Sequence, residues 1–254
     1  MTTIKVVETA TPQDRKVYAD VNAKRKVWVP VKPEKAEKPI EGSEDVLSRM
    51  LALRCLEIPV KNFILEGLSR EDSKVIGKEG IETLLRNTED EERHDKALNN
   101  CVAAFDGYNS KYEKTADSIA DAWIKDSNHP ILKTAYLETS VFFVMLPFIR
   151  KWGFSPLRVT SIDISADEVG HVRSHRQAAR RIGHRPGPSL DKLRKATVAW
   201  MSQGLDFDGM TQDKLLSISQ SLMTRGVSSE LNFSRSYQQP AFFETSNDAL
   251  PKYS

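Results

Sequence analysis

Cysteine is scarce in this sequence, with Cys55 and Cys101 alone among 254 residues. Two thiols cannot staple a chain of this length, so a disulfide scaffold is excluded and reduced thiols are the expectation. A dominant charge is also missing. Lys and Arg number 37 against 35 Asp and Glu. That balance speaks against a general nucleic-acid binder or a membrane-surface protein. Long hydrophobic runs are lacking as well: the longest, residues 140–149, is too short to span a bilayer. The opening MTTIKVVETATPQDRK carries no apolar secretory stretch. A cytoplasmic location is therefore expected. Period-two alternation is nearly absent, which removes most β architectures. What remains is 39% hydrophobic residues, enough for a core and too many for a wholly disordered chain.

Helical spacing dominates from residue 44 onward. Residues 1–43 are rich in Lys, Pro and Glu and read as an extended arm. Ser43-Glu44-Asp45 is a helix start, and the first helix is expected to run to about Gly67. Further helices are expected over 81–105, 112–125, 131–153, 155–182, 189–203 and 211–225. Ser155-Pro156 supplies an N-cap and a first-turn proline. Residues 231–254 show no helical period and read as a flexible tail. The expected fold is all-α, a helical bundle over 44–230 with short connections.

Two of these helices carry Glu-x-x-His, as Glu91-Glu92-Arg93-His94 and Glu168-Val169-Gly170-His171. At a spacing of three, carboxylate and imidazole share a helix face and can hold one cation. A bundle site for two metal ions needs one further carboxylate from each partner helix. Glu57 and Glu138 lie at matching depths in antiparallel neighbours, at about 1.5 Å of rise per residue. Glu66 rivals Glu57 but sits at a helix end. Glu138 lies in TAYLETSVFFVMLPF, where a carboxylate without a partner is costly. The expected ligands are Glu57, Glu91, His94, Glu138, Glu168 and His171, and the spacing leaves the bridging carboxylates open. His175 reads as a helix-surface histidine, and His129 and His184 as solvent-facing turn residues. Cys55 and Cys101 read as small apolar fillers.

The pattern resembles the small, radical-generating subunit of class I ribonucleotide reductase, across roughly residues 45–185. LEIPVKNFI around Glu57 is similar to that family's first-ligand helix, which usually has Asp there. YLETSVFFVMLPFIRKWGFSPLRVTSIDISADEVGH is similar to its third- and fourth-ligand helices. The resemblance implies a ferritin-like bundle, a homodimer, and two metal ions, Fe/Fe or Mn/Fe, that activate dioxygen. It implies that Trp28 hydrogen-bonds Asp167, which reaches the metal through His94. It assigns Phe142 and Ile164 to the apolar lining of the radical site. It also makes Tyr237 a redox residue in a tail that docks on a large subunit.

The sequence departs from that family at Leu98. The family's radical Tyr stands four residues after the first His, and Leu98 cannot hold a phenoxyl radical. One subclass without that Tyr stores its oxidising equivalent in a Mn/Fe centre. Tyr136, the conceivable substitute, would point away from the metal. Other readings are a di-iron oxygenase or oxidase acting on a small molecule, a ferroxidase, and a ligand-bearing scaffold without activity.

Overall fold

A computed structural model describes residues 11–228, with side chains to residue 223. Residues 12–24, expected as part of an extended arm, instead form helix α1 (Pro12–Lys24). Its start has a local cause. Thr11 accepts from the Asp14 backbone N–H, while Asp14 accepts from the Thr11 backbone N–H at 2.8 Å, a reciprocal capping box. Val17, Tyr18 and Val21 form the buried face of α1. The following residues are extended as expected. They are pinned where Glu37 N donates to Ala104 O and Asp106 N to Glu37 O, both at 2.9 Å.

The helix expected from Glu44 is broken in two. α2 (Glu44–Ala52) passes into a 3-10 turn, Leu53–Leu56, before α3 (Glu57–Ser69) begins. Pro59 explains the break. A proline is tolerated in the first turn of a helix, where its missing N–H has no partner to lose. Restarting at Glu57 puts Pro59 in that turn. α4 (Lys78–Ala104) and α5 (Glu113–Lys125) follow.

The expected helix over 131–153 is also interrupted. α6 (Pro130–Leu137) widens into a π-turn, Glu138–Phe142, and continues as α7 (Phe143–Trp152). By length and composition the run Pro130–Trp152 is long and apolar enough to cross a membrane, but 94% of its most apolar window is buried inside the bundle. The shorter apolar run read from sequence underestimated it. α8 (Ser155–Ile182) ends at Gly183, whose φ of 76° suits only glycine without strain. α9 (Pro188–Met201) and α10 (Gln212–Ser228) close the described chain. Between them lies an unexpected hairpin, β1 (Asp206–Phe207) and β2 (Met210–Thr211). Its two-residue turn, Asp208-Gly209, has positive φ at both positions, as the right-handed twist of such hairpins demands.

The fold is all-α, as expected. α3, α4, the α6–α7 run and α8 pack on one another around the main core, and α1 lies across α4 and α8. The close approach of α1 depends on Gly80: a Cβ there would fall 2.5 Å from Ile76 Cγ2 and 2.7 Å from the Tyr18 ring. Gly80→Val should lower the unfolding free energy by about 1–3 kcal/mol. The readout is a lower urea midpoint with an unchanged slope. An unmoved midpoint would show that α1 does not rest on α4 at this point.

Candidate metal centre

Two continuous helices carry the paired motifs. α4 and α8 run 27 and 28 residues without interruption, so each Glu-x-x-His keeps its common face. The two single carboxylates stand at irregularities instead. Glu57 is the first residue of α3 after the 3-10 turn, and Glu138 opens the π-turn. Such local changes of helical phase re-aim a side chain without moving the helix.

All six expected ligand residues converge between these helices and are buried, none more than 2% exposed. His94 Nδ1 lies 3.7 Å from Glu57, 3.8 Å from Glu91 and 3.6 Å from Glu168. His171 Nδ1 lies 3.0 Å from Glu91, 3.7 Å from Glu138 and 3.9 Å from Glu168. The ligand atoms form two overlapping groups, one of Glu57, Glu91, His94 and Glu168, the other of Glu91, Glu138 and His171. Glu91 belongs to both, and Glu168 faces both imidazoles. The six residues thus form one connected ring and not two separate triads. Glu66, the rival of Glu57, is instead exposed and paired with Arg70.

The polar atoms facing this space have no hydrogen-bond partner. They are Glu57 Oε2, both oxygens of Glu91 and Glu168, Glu138 Oε1, and Nδ1 of His94 and His171. Buried polar atoms are nearly always satisfied, so a cluster of orphaned acceptors needs positive charge. The donor set fits cations that accept mixed oxygen and imidazole ligands. These buried groups can therefore hold a metal ion.

The electrostatics agree. Burial pushes Glu57 up to about 7, with the His94 contact opposing. It pushes Glu138 up to about 8, against the attraction of His171. Glu168 is raised well above its ordinary range by burial and then by Glu138. Burial pulls His94 and His171 down, but hydrogen bonds to Asp167 and Asp90 respectively, together with the carboxylates, leave both well above 6.5.

Each imidazole is fixed from behind. His94 Nε2 faces Asp167 Oδ2 at 3.2 Å, and His171 Nε2 faces Asp90 Oδ2 at the same distance. With Nε2–H donating outward, Nδ1 is the nitrogen that faces the carboxylates, and its lone pair becomes available to a cation when its proton leaves. Trp28 Nε1 donates to Asp167 at 2.7 Å, and the Trp28 and His94 rings stack with centroids 6.1 Å apart. On the other side Arg25 grips Asp90 through Nε and Nη2, at 3.0 and 2.7 Å. A crevice of about 50 Å³ between α1, α4 and α8 opens onto Arg25, Asp90 and His171.

Asp90 and Arg25 escaped the sequence reading, although the signal was there: Asp-Glu-x-x-His occurs twice, at 90–94 and 167–171. Each Asp serves the histidine of the other helix. His175 was misread. It is fully buried, not on the helix surface, and its Nδ1 meets Glu138 Oε2 while Asn87 donates to its Nε2 at 3.3 Å. The arginines around it, in HVRSHRQAARRIGHR, give that stretch the look of a solvated helix face.

His129 is likewise buried rather than solvent-facing, and it forms a second cluster with Asp72 and His184. There His129 Nδ1 accepts from the Ile131 backbone N–H at 3.2 Å. Nε2 must then carry the proton, so it donates to Asp72 and offers no lone pair to a cation. Cys101 is buried and Cys55 half-buried, and Phe142, Ile164 and Leu98 are core residues. Tyr136 is half-buried among Asp191, Arg194 and Arg176, apart from the carboxylates. Tyr237 and the expected tail at 231–254 lie outside the described residues. No family model, curated protein or solved structure matches this chain.

Glu57, Glu138, Glu168, His94 and His171 all hold protons more tightly folded than unfolded. Folding therefore takes up protons, and the stability these groups give at low pH is lost as pH rises through about 7 and 8. His175, pushed down to about 3 by burial and then by His171, works the other way, but its effect is complete by pH 6.5. Thermal midpoints of the metal-free chain should thus fall between pH 6.5 and 8, and saturating Mn2+ should flatten the fall. A midpoint that rises across that window would contradict the buried carboxylate cluster.

Proposed function

We propose that this chain is the small, radical-generating subunit of a class I ribonucleotide reductase, with a ferritin-like bundle and two metal ions. The observation that carries the reading is the ring of orphaned carboxylate and imidazole atoms, backed on one side by the Trp28–Asp167–His94 array. Glu91 and Glu168 are the bridging candidates because each faces both imidazoles. Glu57 would add to the His94 side and Glu138 to the His171 side of the residues that hold the ions. When bound, the metal pair supplies one-electron redox chemistry with dioxygen, as Fe/Fe or Mn/Fe.

The chain's own residues supply the wiring. Asp167 Oδ2 takes two donors at once, the indole N–H of Trp28 and the Nε2–H of His94. An electron crossing the Trp28–His94 stack leaves the indole N–H more acidic, and Asp167 Oδ2 is placed to take that proton. The Arg93 guanidinium lies 5.6 Å from the Trp28 ring and 3.7 Å from Asp167. It steadies the carboxylate charge and opposes a cation on the indole. Bulk water is excluded from the cluster by full burial.

Reducing a ribonucleotide needs a nucleotide pocket and several redox cysteines. Cys55 and Cys101 cannot supply them, so a separate large subunit carries that chemistry. Docking falls to the tail that includes Tyr237, and the active small subunit is a homodimer. Leu98 gives no phenol beside the site, which favours Mn/Fe storage of the oxidising equivalent. The same residue favours a second reading, a small-molecule di-iron oxygenase, which needs neither radical Tyr nor tail.

The test is metal content per chain after anaerobic loading with equal iron and manganese, followed by air. About two metals in near-equal ratio are expected. Retention of no metal would overturn both readings. Glu138→Ala should lose metal and activity while keeping its helix content. Trp28→Phe should keep its metals yet slow turnover with the large subunit by about 10–100-fold. Removing residues 237–254 should abolish activity of a radical subunit, whereas an oxygenase would tolerate the loss.

A further inference from the structure

The two sides of the cluster are built alike but charged differently. Behind each imidazole stands an aspartate, and each aspartate is held by the same short N-terminal segment: Asp167 by Trp28, Asp90 by Arg25. Trp28 brings no charge. Arg25 brings a full guanidinium, gripping Asp90 with two donors. Arg93 adds to the imbalance, because its Nη1 lies 2.6 Å from Asp90 but 3.7 Å from Asp167. Asp90 is thus compensated by two guanidiniums in contact, while Asp167 keeps most of its negative charge. Arg25 and Asp90 are shielded, with 17% and 2% of their side chains exposed, so solvent screens this difference weakly.

An imidazole becomes a stronger donor to a cation as the group on its outer nitrogen becomes more negative. His94, backed by Asp167, is the stronger donor, and His171, backed by a neutralised Asp90, the weaker. The inner carboxylates do not set the two apart, since Glu91 and Glu168 face both imidazoles and Glu57 and Glu138 add one to each side.

We propose that Arg25 is a positioning residue that sets the two cation positions apart: by orienting and neutralising Asp90 behind His171, it makes the His171 position the weaker one, filled after the His94 position. This rests on the two-metal reading of the cluster and not on any partner subunit. Arg25 touches no cation itself.

The experiment is a titration of the metal-free full chain with Mn2+ alone, by calorimetry, with free Mn2+ followed by its electron paramagnetic resonance. The unaltered chain should show two binding constants. Arg25→Gln should tighten the weaker by about tenfold and leave the stronger in place. Arg25→Lys keeps the charge and should keep the weaker constant weak. Asp90→Asn should weaken the same constant by about 10–100-fold, and Asp167→Asn the stronger one instead. Circular dichroism confirms folding, and the Asp90→Asn arm stands should Arg25→Gln fail to fold. The inference is overturned if Arg25→Gln leaves the weaker constant unchanged or loosens it, or if it shifts both constants equally. Fewer than two Mn2+ bound by the unaltered chain would overturn the two-metal reading and this inference with it.

Discussion

Everything in this bundle answers to one constraint: four carboxylates share a space from which water has been removed. Among the described residues the ring is lined by these carboxylates and the imidazoles of His94 and His171. Left metal-free, the ring keeps protons that carboxylates ordinarily shed. The surrounding core must therefore be large and closely fitted to hold the ring shut. Arg25 and Arg93 stand one layer out, where they steer the aspartates without occupying the ring itself. An apolar core of the same volume would be more stable. A bound cation is what would offset that cost.

Backbone irregularity is what makes the ring close. An ideal helix through residues 44–69 or 130–152 would carry each carboxylate on a phase fixed by its distant neighbours. The tightened turn before Glu57 and the widened turn at Glu138 release that phase locally. The paired motifs need no such device, because their spacing of three already matches the helix.

This division decided what the sequence could reveal. The paired motifs, and the helices that carry them, are written in local spacing, and both are legible without any structure. Glu57 and Glu138 were found by depth, an argument along the helix axis that survives the irregular turns. Helix α1 was missed because the Lys-, Pro- and Glu-rich composition of residues 1–43 as a whole outweighed the local Thr11–Asp14 capping box. His175 was missed because burial is a tertiary property: nothing in His-x-x-x-His says that the second imidazole meets Asn87 and Glu138. Asp90 was overlooked for a simpler reason, since attention to the Glu-x-x-His core passed over the residue before it. The break at 53–56 follows from Pro59, whose place in a first helical turn the overall helical spacing does not show.

The segment from Arg25 to Trp28 reaches both aspartates, and its bonds close loops of 65 and 139 residues. Such contacts are reciprocal in free energy. Whatever fastens these four residues to the bundle acts on both histidines at once, orienting Asp167 behind His94 and neutralising Asp90 behind His171, and a cation bound at either histidine alters that fastening in return. On the two-metal reading, the N-terminal strap and the cation positions are thus thermodynamically coupled. Anything that lifts the strap would speak to both cations together, across the helices, without touching either.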